Sequence, residues 1–255
     1  MHLGNGAITP ECVALTYGSA VAGLSAASVA IRRSGLTRDR LELAAALGCF
    51  VLAAQAVNVP VAPGVSGHLV GGVLLAALLG PALGAWTMAV VLAIQALILG
   101  DGGIAAWGAN VINMALLPAA MAAVAQRLGH ASLGSRRSLV IAGMLAGIAV
   151  PAAAGLIVLE VALFRSAGEL AGWATFAVAM LWTHAWIGVL EGIATAALVA
   201  AIAPIAARRN LQQGWRIAFF GGTAALVIAA LLLPISSGLP DGYEVAAMLW
   251  PTLGR

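Results

Sequence analysis

Eight apolar runs follow one another along the chain: Glu11–Ile31, Leu41–Val57, His68–Leu79, Pro81–Leu99, Ile104–Gln126, Leu139–Leu163, Leu170–Ala203 and Trp215–Leu233. Only short polar, Gly or Pro breaks separate them. A hydrocarbon core about 30 Å thick takes roughly 20 apolar residues per helix. In lipid only helices and closed barrels satisfy their own backbone. The runs therefore predict an all-α membrane protein with 7–8 transmembrane helices; the third run, at twelve residues, is short for a span, and Pro81 divides it from the fourth. With 62% hydrophobic and 8% charged residues, a water-soluble globule is excluded, since such proteins carry about 25% charge.

The few charges are informative. All twelve basic residues are arginine, and a chain without lysine has no Walker A loop for ATP and no amine for Schiff-base chemistry. If the first residues lie outside, ten arginines fall in inside connections: Arg32, Arg33, Arg38 and Arg40; Arg127, Arg136 and Arg137; Arg208, Arg209 and Arg216. Only Arg165 and Arg255 fall outside, as the positive-inside rule requires. Met1–Pro10 is uncharged, which does not fit a secretory signal, so the mature chain is expected to begin at Met1. Thr9-Pro10 before Glu11 is a helix-start signal. Cys12 and Cys49 sit in apolar runs and read as packing residues. Gly18, Ala22, Ala26 and Ala30 make a small-residue stripe, read first as intramolecular packing and second as a docking face for another subunit.

Ionisable groups in or near a membrane are costly and point to function. His2 allows one chelate to use three nitrogens: the Met1 α-amine, the His2 amide once deprotonated, and His2 Nδ1. These close a five- and a six-membered ring, and the planar nitrogen set suits Ni(II) or Cu(II). His68 follows the loop Asn58–Gly67 on the same side as Met1 and is the imidazole available for the fourth position. Asp101, in Gly100-Asp101-Gly102-Gly103, reads as a turn carboxylate. His130, among arginines, reads as a solvated surface residue. His184 and Glu191, seven residues apart, share a helical face. They read as a buried hydrogen-bonded pair or as support behind the metal ligands.

The start Met1-His2-Leu3-Gly4-Asn5-Gly6, the block GHLVGGVLLAALLG from Gly67 to Gly80, the stretch QALILGDGGIAAWGANVINM from Gln95 to Met114 and the segment HAWIGVLEGIATA from His184 to Ala196 resemble the substrate-binding M subunits, CbiM or NikM, of energy-coupling-factor (ECF) cobalt/nickel transporters. The resemblance implies an ECF S-component-like bundle with an extra N-terminal helix that inserts the chain end into an outward-facing pocket. It implies metal on Met1, His2 and His68, with Asn110 and Asn113 near the pocket and Asn110 the better candidate. Gly4-Asn5 departs from the family, which carries an acidic residue here. Ser236-Ser237-Gly238-Leu239-Pro240-Asp241-Gly242-Tyr243-Glu244 is similar to the SSxPDGLE signature of the small N-type subunits, with Tyr243 in place of leucine. Two regions result: residues 1–205, a metal-binding M-type domain, and 206–255, a C-terminal helix with an external tail.

The expected function is capture of Ni(II) or Co(II) for uptake across a bacterial or archaeal inner membrane. The resemblance supplies the partners, a Q-type transmembrane coupling subunit and O-type ATPase subunits, and no catalytic cofactor is expected. The alternative is an intramembrane metal-dependent enzyme using His184 and Glu191. It lacks a second histidine at i+4 and a nucleophile–base pair.

Overall fold

The computed structural model describes residues 2–127, 135–207, 227, 231 and 236–250. Met1, His130, Arg208, Arg209, Arg216, Arg255 and nearly all of the eighth apolar run lie outside the described residues. Helix α1 (Pro10–Ser34) begins as the sequence signals: Thr9 Oγ1 accepts the Cys12 N–H at 3.3 Å, and Pro10 fills the first position, where no N–H is needed. Thr37 caps α2 (Arg38–Gln55) the same way. A two-stranded antiparallel hairpin follows, β1 (Val59–Ala62) and β2 (Val65–Gly67), which the apolar pattern does not announce.

Helix α3 (Gly72–Leu79) has only eight residues, about 12 Å at 1.5 Å per residue. Gly80 (φ +85°) breaks it from α4 (Pro81–Ile94), so the two runs are separate helices. Arg40 reaches the Leu79 carbonyl, which fixes the far end of α3 beside the α1–α2 arginines. The expected third span is thus a half-length helix. Its other half is replaced by the irregular segment carrying His68.

Helix α4 runs into a π-helical turn (Gln95–Leu99). Helix α5 (Trp107–Val111) leads through a second π turn (Ile112–Leu116) into α6 (Leu117–Arg127). Single π turns inside helices are frequent at functional sites. Helices α7 (Arg136–Ala162) and α8 (Trp173–Ala207) form the principal antiparallel pair, and a short helix α9 (Gly242–Met248) closes the described structure.

Among the described residues, five helices are long and apolar enough to cross a membrane: Pro10–Ser34, Pro81–Leu99, Trp107–Gln126, Arg136–Ala162 and Trp173–Ala203. The all-α membrane fold is as expected. The small-residue stripe of α1 corrects its first reading: Gly18, Ala22, Ala26 and Ala30 are all exposed, so the stripe does not pack within the described residues.

Candidate metal centre

His2, Leu3, Ala7 and Ile8 are buried, while Asn5 and Gly6 between them are exposed. Leu3 is fully buried, and Ala7 and Ile8 join it in the main apolar cluster. Asn110, from α5, holds this segment as a strand partner would. Its Oδ1 accepts the Leu3 N–H at 2.9 Å and its Nδ2 donates to the Leu3 carbonyl at 3.1 Å. The Gly103 N–H donates to the same carbonyl at 2.8 Å. A side chain at Gly102 (φ +81°) would crowd His2 Cβ and the Asn110 amide, and one at Gly103 would meet Asn5. The glycines of the Gly100–Gly103 turn thus let it press against the incoming chain. Asn5 Oδ1 accepts the Ala105 N–H at 3.0 Å. Arg165 donates to the Ala7 carbonyl at 3.2 Å.

This clamp carries His2 to His68. The two rings stack with centroids 5.4 Å apart and planes 15° from parallel. His2 is buried, and its Nε2 has no hydrogen-bond partner among the described residues. His2 Nδ1 lies 3.3 Å from Asp101 Oδ1, so the turn carboxylate faces the site. Burial would raise the Asp101 carboxyl, but the hydrogen bond and charge of His2, with that of His68, hold it below its ordinary value.

The C-terminal segment forms another wall. Ser66 N–H donates to the Pro240 carbonyl (2.9 Å), Ser66 Oγ to the Leu239 carbonyl (2.6 Å), and Ser237 N–H to the Asn58 carbonyl (2.8 Å). Asp241 and Glu244 cap α9 reciprocally. Asp241 also acts electrostatically on both His68 and His184. A Cβ on Gly242 would sit 2.8 Å from His184 Cε1, so the tail packs directly on that histidine.

His184 and Glu191 do not bond to each other, which corrects the first of their two readings, a hydrogen-bonded pair. His184 Nδ1 donates to the Met180 carbonyl (2.7 Å), and its Nε2 is buried without a partner among the described residues. Glu191 instead accepts the Val70 and Gly71 N–H groups. Asn113 is separate from the two histidines: its Nδ2 donates to Glu160 Oε2 at 2.7 Å. Sequence reasoning underrated Asp101, although its glycine-rich turn signals a close backbone approach, and passed over Gln55. Among the described residues no three His, Cys, Asp or Glu side chains converge as a metal cage.

The described residues thus form a helical membrane bundle in which the segment at residues 2–3 is buried against Asn110 and His2 stacks on His68, just ahead of the half-length helix α3. The chain belongs to the family described as the cobalt uptake substrate-specific transmembrane region, whose model matches residues 2–211. It is 32% identical, over its whole length and 78% of the relative, to the fused nickel transport protein NikMN of Rhodobacter capsulatus. A putative fused nickel transport protein NikMN of Archaeoglobus fulgidus is 36% identical over 91% of this chain and 74% of its own. The fold is also similar to the crystal structure of a truncated transition metal transporter, with TM-score 0.67 and 25% identity over 80% of this chain and 99% of that one.

Proposed function

We propose that this chain captures Ni(II) or Co(II) on the outer side of a cell's inner membrane, holding the ion on the Met1 amine, the His2 amide and ring, and the His68 ring. The observation that carries the proposal is the stacked approach of His2 and His68 at 5.4 Å, made by two segments 66 residues apart in sequence. The lack of a side-chain cage among the described residues favours a site that draws on backbone nitrogens. Asp101 faces the Nδ1 that the chelate needs, so metal binding exchanges that contact for the cation and leaves the carboxylate beside it. Asn110 supports the site by fixing Leu3. His184 stands under its C-terminal wall, and Asn113 acts at most through Glu160.

Transport requires energy that a lysine-free chain does not draw from its own P-loop. A Q-type coupling subunit and O-type ATPases supply it, and the exposed Gly18/Ala22/Ala26/Ala30 face of α1 suits close helix docking by the coupling subunit. The enzyme alternative loses support because Glu191 is engaged by backbone and does not meet His184.

The test is Ni(II) titration and X-ray absorption on protein with a free or an acetylated Met1. The free form is expected to give a nitrogen-only, near-planar site. Acetylation is expected to weaken binding on the order of 100-fold or more, since even partners outside the coordination sphere contribute 10–100-fold, while the unfolding temperature without metal stays unchanged. Equal binding by the acetylated protein sinks the assignment. Because the ligands must shed protons, affinity falls by about tenfold per pH unit for each proton displaced as pH drops.

A further inference from the structure

The segment that carries His68 is irregular, passes from half-buried His68 and Leu69 to buried Val70 and Gly71, and is too short to hold itself. Beyond Gly67 it makes no strand pairing, and α3 does not begin until Gly72. Yet every polar group of its Val70–Gly71 turn is taken. Glu191 of α8 accepts the Val70 N–H on Oε2 and the Gly71 N–H on Oε1, both at 2.8 Å. From the opposite side, Gln55 at the end of α2 donates its Nε2 to the Val70 carbonyl at 2.7 Å. The Gly71 carbonyl accepts the Leu75 N–H as α3 begins. Gln55 and Glu191 are 2% and 4% exposed, so water offers no substitute for either. Apolar contacts repeat the arrangement: a Cβ at Gly67 would meet Ile187 at 3.3 Å, and one at Gly71 (φ +79°) would meet Val51 at 2.9 Å. Ile187 and Glu191 share a face of α8, and Val51 and Gln55 share a face of α2.

We propose that Glu191 and Gln55 are positioning residues that clamp the Val70–Gly71 peptide between α8 and α2 and so set where the His68 imidazole stands. This extends the metal-capture reading and rests on it for its functional consequence. A simpler role, a remote carboxylate cap on α3, accounts for the two N–H bonds but not for the amide of Gln55 on the Val70 carbonyl. A carboxylate suits the first position because it offers two acceptor oxygens. Glutamine offers one acceptor and would turn its NH₂ toward a second N–H. A buried donor left without its acceptor is the costly case in hydrogen-bond energetics.

Two measurements on Glu191→Gln and Gln55→Leu in the full-length protein test this. The first needs no ligand: hydrogen exchange at the Val70 and Gly71 amides is expected to rise at least tenfold in Glu191→Gln, with α7 and α8 exchange unchanged. Unchanged exchange at 70–71 overturns the clamp. The second is a double-mutant cycle with Ni(II) as probe. Each variant is expected to weaken binding about 10–100-fold, the scale for groups that orient a ligand, and to change it less than about twofold in a His68→Ala background. Equal losses in both backgrounds assign the effect to the fold at large and overturn the positioning role. If His68→Ala alone leaves Ni(II) affinity intact, the ligand assignment fails instead, and the exchange result still decides the clamp. Gln55→Leu reaches the same peptide from α2, so one misfolded variant does not remove the test.

Discussion

The α7–α8 pair and the His2 end of the bundle solve opposite problems. Between α7 and α8 the backbones nearly touch: a Cβ on Gly188 would lie 2.5 Å from the Gly147 carbonyl oxygen, and one on Gly192 2.7 Å from that of Gly143. Helical backbone satisfies its own peptides there except at the Gly147 carbonyl, which Pro151 leaves without its i+4 N–H, and small residues supply dispersion contact that lipid does not drive. At the His2 end the backbone is irregular and borrows partners from distant side chains: Asn110 for Leu3, Glu191 and Gln55 for Val70–Gly71, and Ser66 for Leu239. Shape holds the first region and hydrogen bonds hold the second. The second stacks the His2 ring on that of His68.

This contrast breaks most visibly at Gly188. Gly188→Leu must push backbone apart, and overpacking of this kind costs about 1–3 kcal/mol, more where main chain is the obstacle. A large drop in unfolding temperature is expected, whereas Gly18→Leu on α1, with nothing within 4 Å of its Cβ, leaves stability nearly unchanged. Equal responses from the two glycines, in matched thermal melts in detergent, contradict the division.

Asn110→Ala attacks the hydrogen-bonded region and is expected to act on binding more than on melting. It orphans the Leu3 N–H in a fully buried segment, at about 1–3 kcal/mol. That energy loosens the residue next to His2, so Ni(II) affinity falls about tenfold or more. Loss of stability without loss of affinity makes Asn110 a packing residue only. Asn113→Ala, whose partner is Glu160, serves as the control, with affinity expected within about twofold of wild type.

The same contrast explains what was readable in the sequence. Apolar runs marked the helices because lipid forces backbone to pair within itself, and Thr9-Pro10 marked the start of α1 to within one residue, at Pro10 rather than Glu11. The half-length of α3 was not visible, since an apolar loop and an apolar helix have the same composition. His2 and His68 stood out because imidazoles are rare in such a chain. Their supports did not: Gln55 closes an ordinary apolar helix, and the partners of Glu191 lie 120 and 121 positions away. The α7–α8 glycines and the α1 stripe look alike as spacing patterns, yet one is buried against a neighbour and the other is exposed. Periodicity says that small residues share a face and not what covers it.

The smallest expected effect separates charge from geometry at the site itself. Asp101→Asn keeps an oxygen beside His2 Nδ1 but removes one negative charge from the neighbourhood of a divalent cation. The side chain is 46% exposed, so solvent screens it, and interactions of this type contribute about 1 kcal/mol or less. Ni(II) affinity should fall several-fold at low ionic strength, and the deficit should shrink as salt is raised toward 1 M, where the Debye length is about 3 Å. A loss that ignores salt would mean that Asp101 works through the hydrogen bond to the ring, joining Asn110 and Glu191 as a geometric support. A gain in affinity would mean that its main effect in the metal-free protein is to compete with the ion for Nδ1.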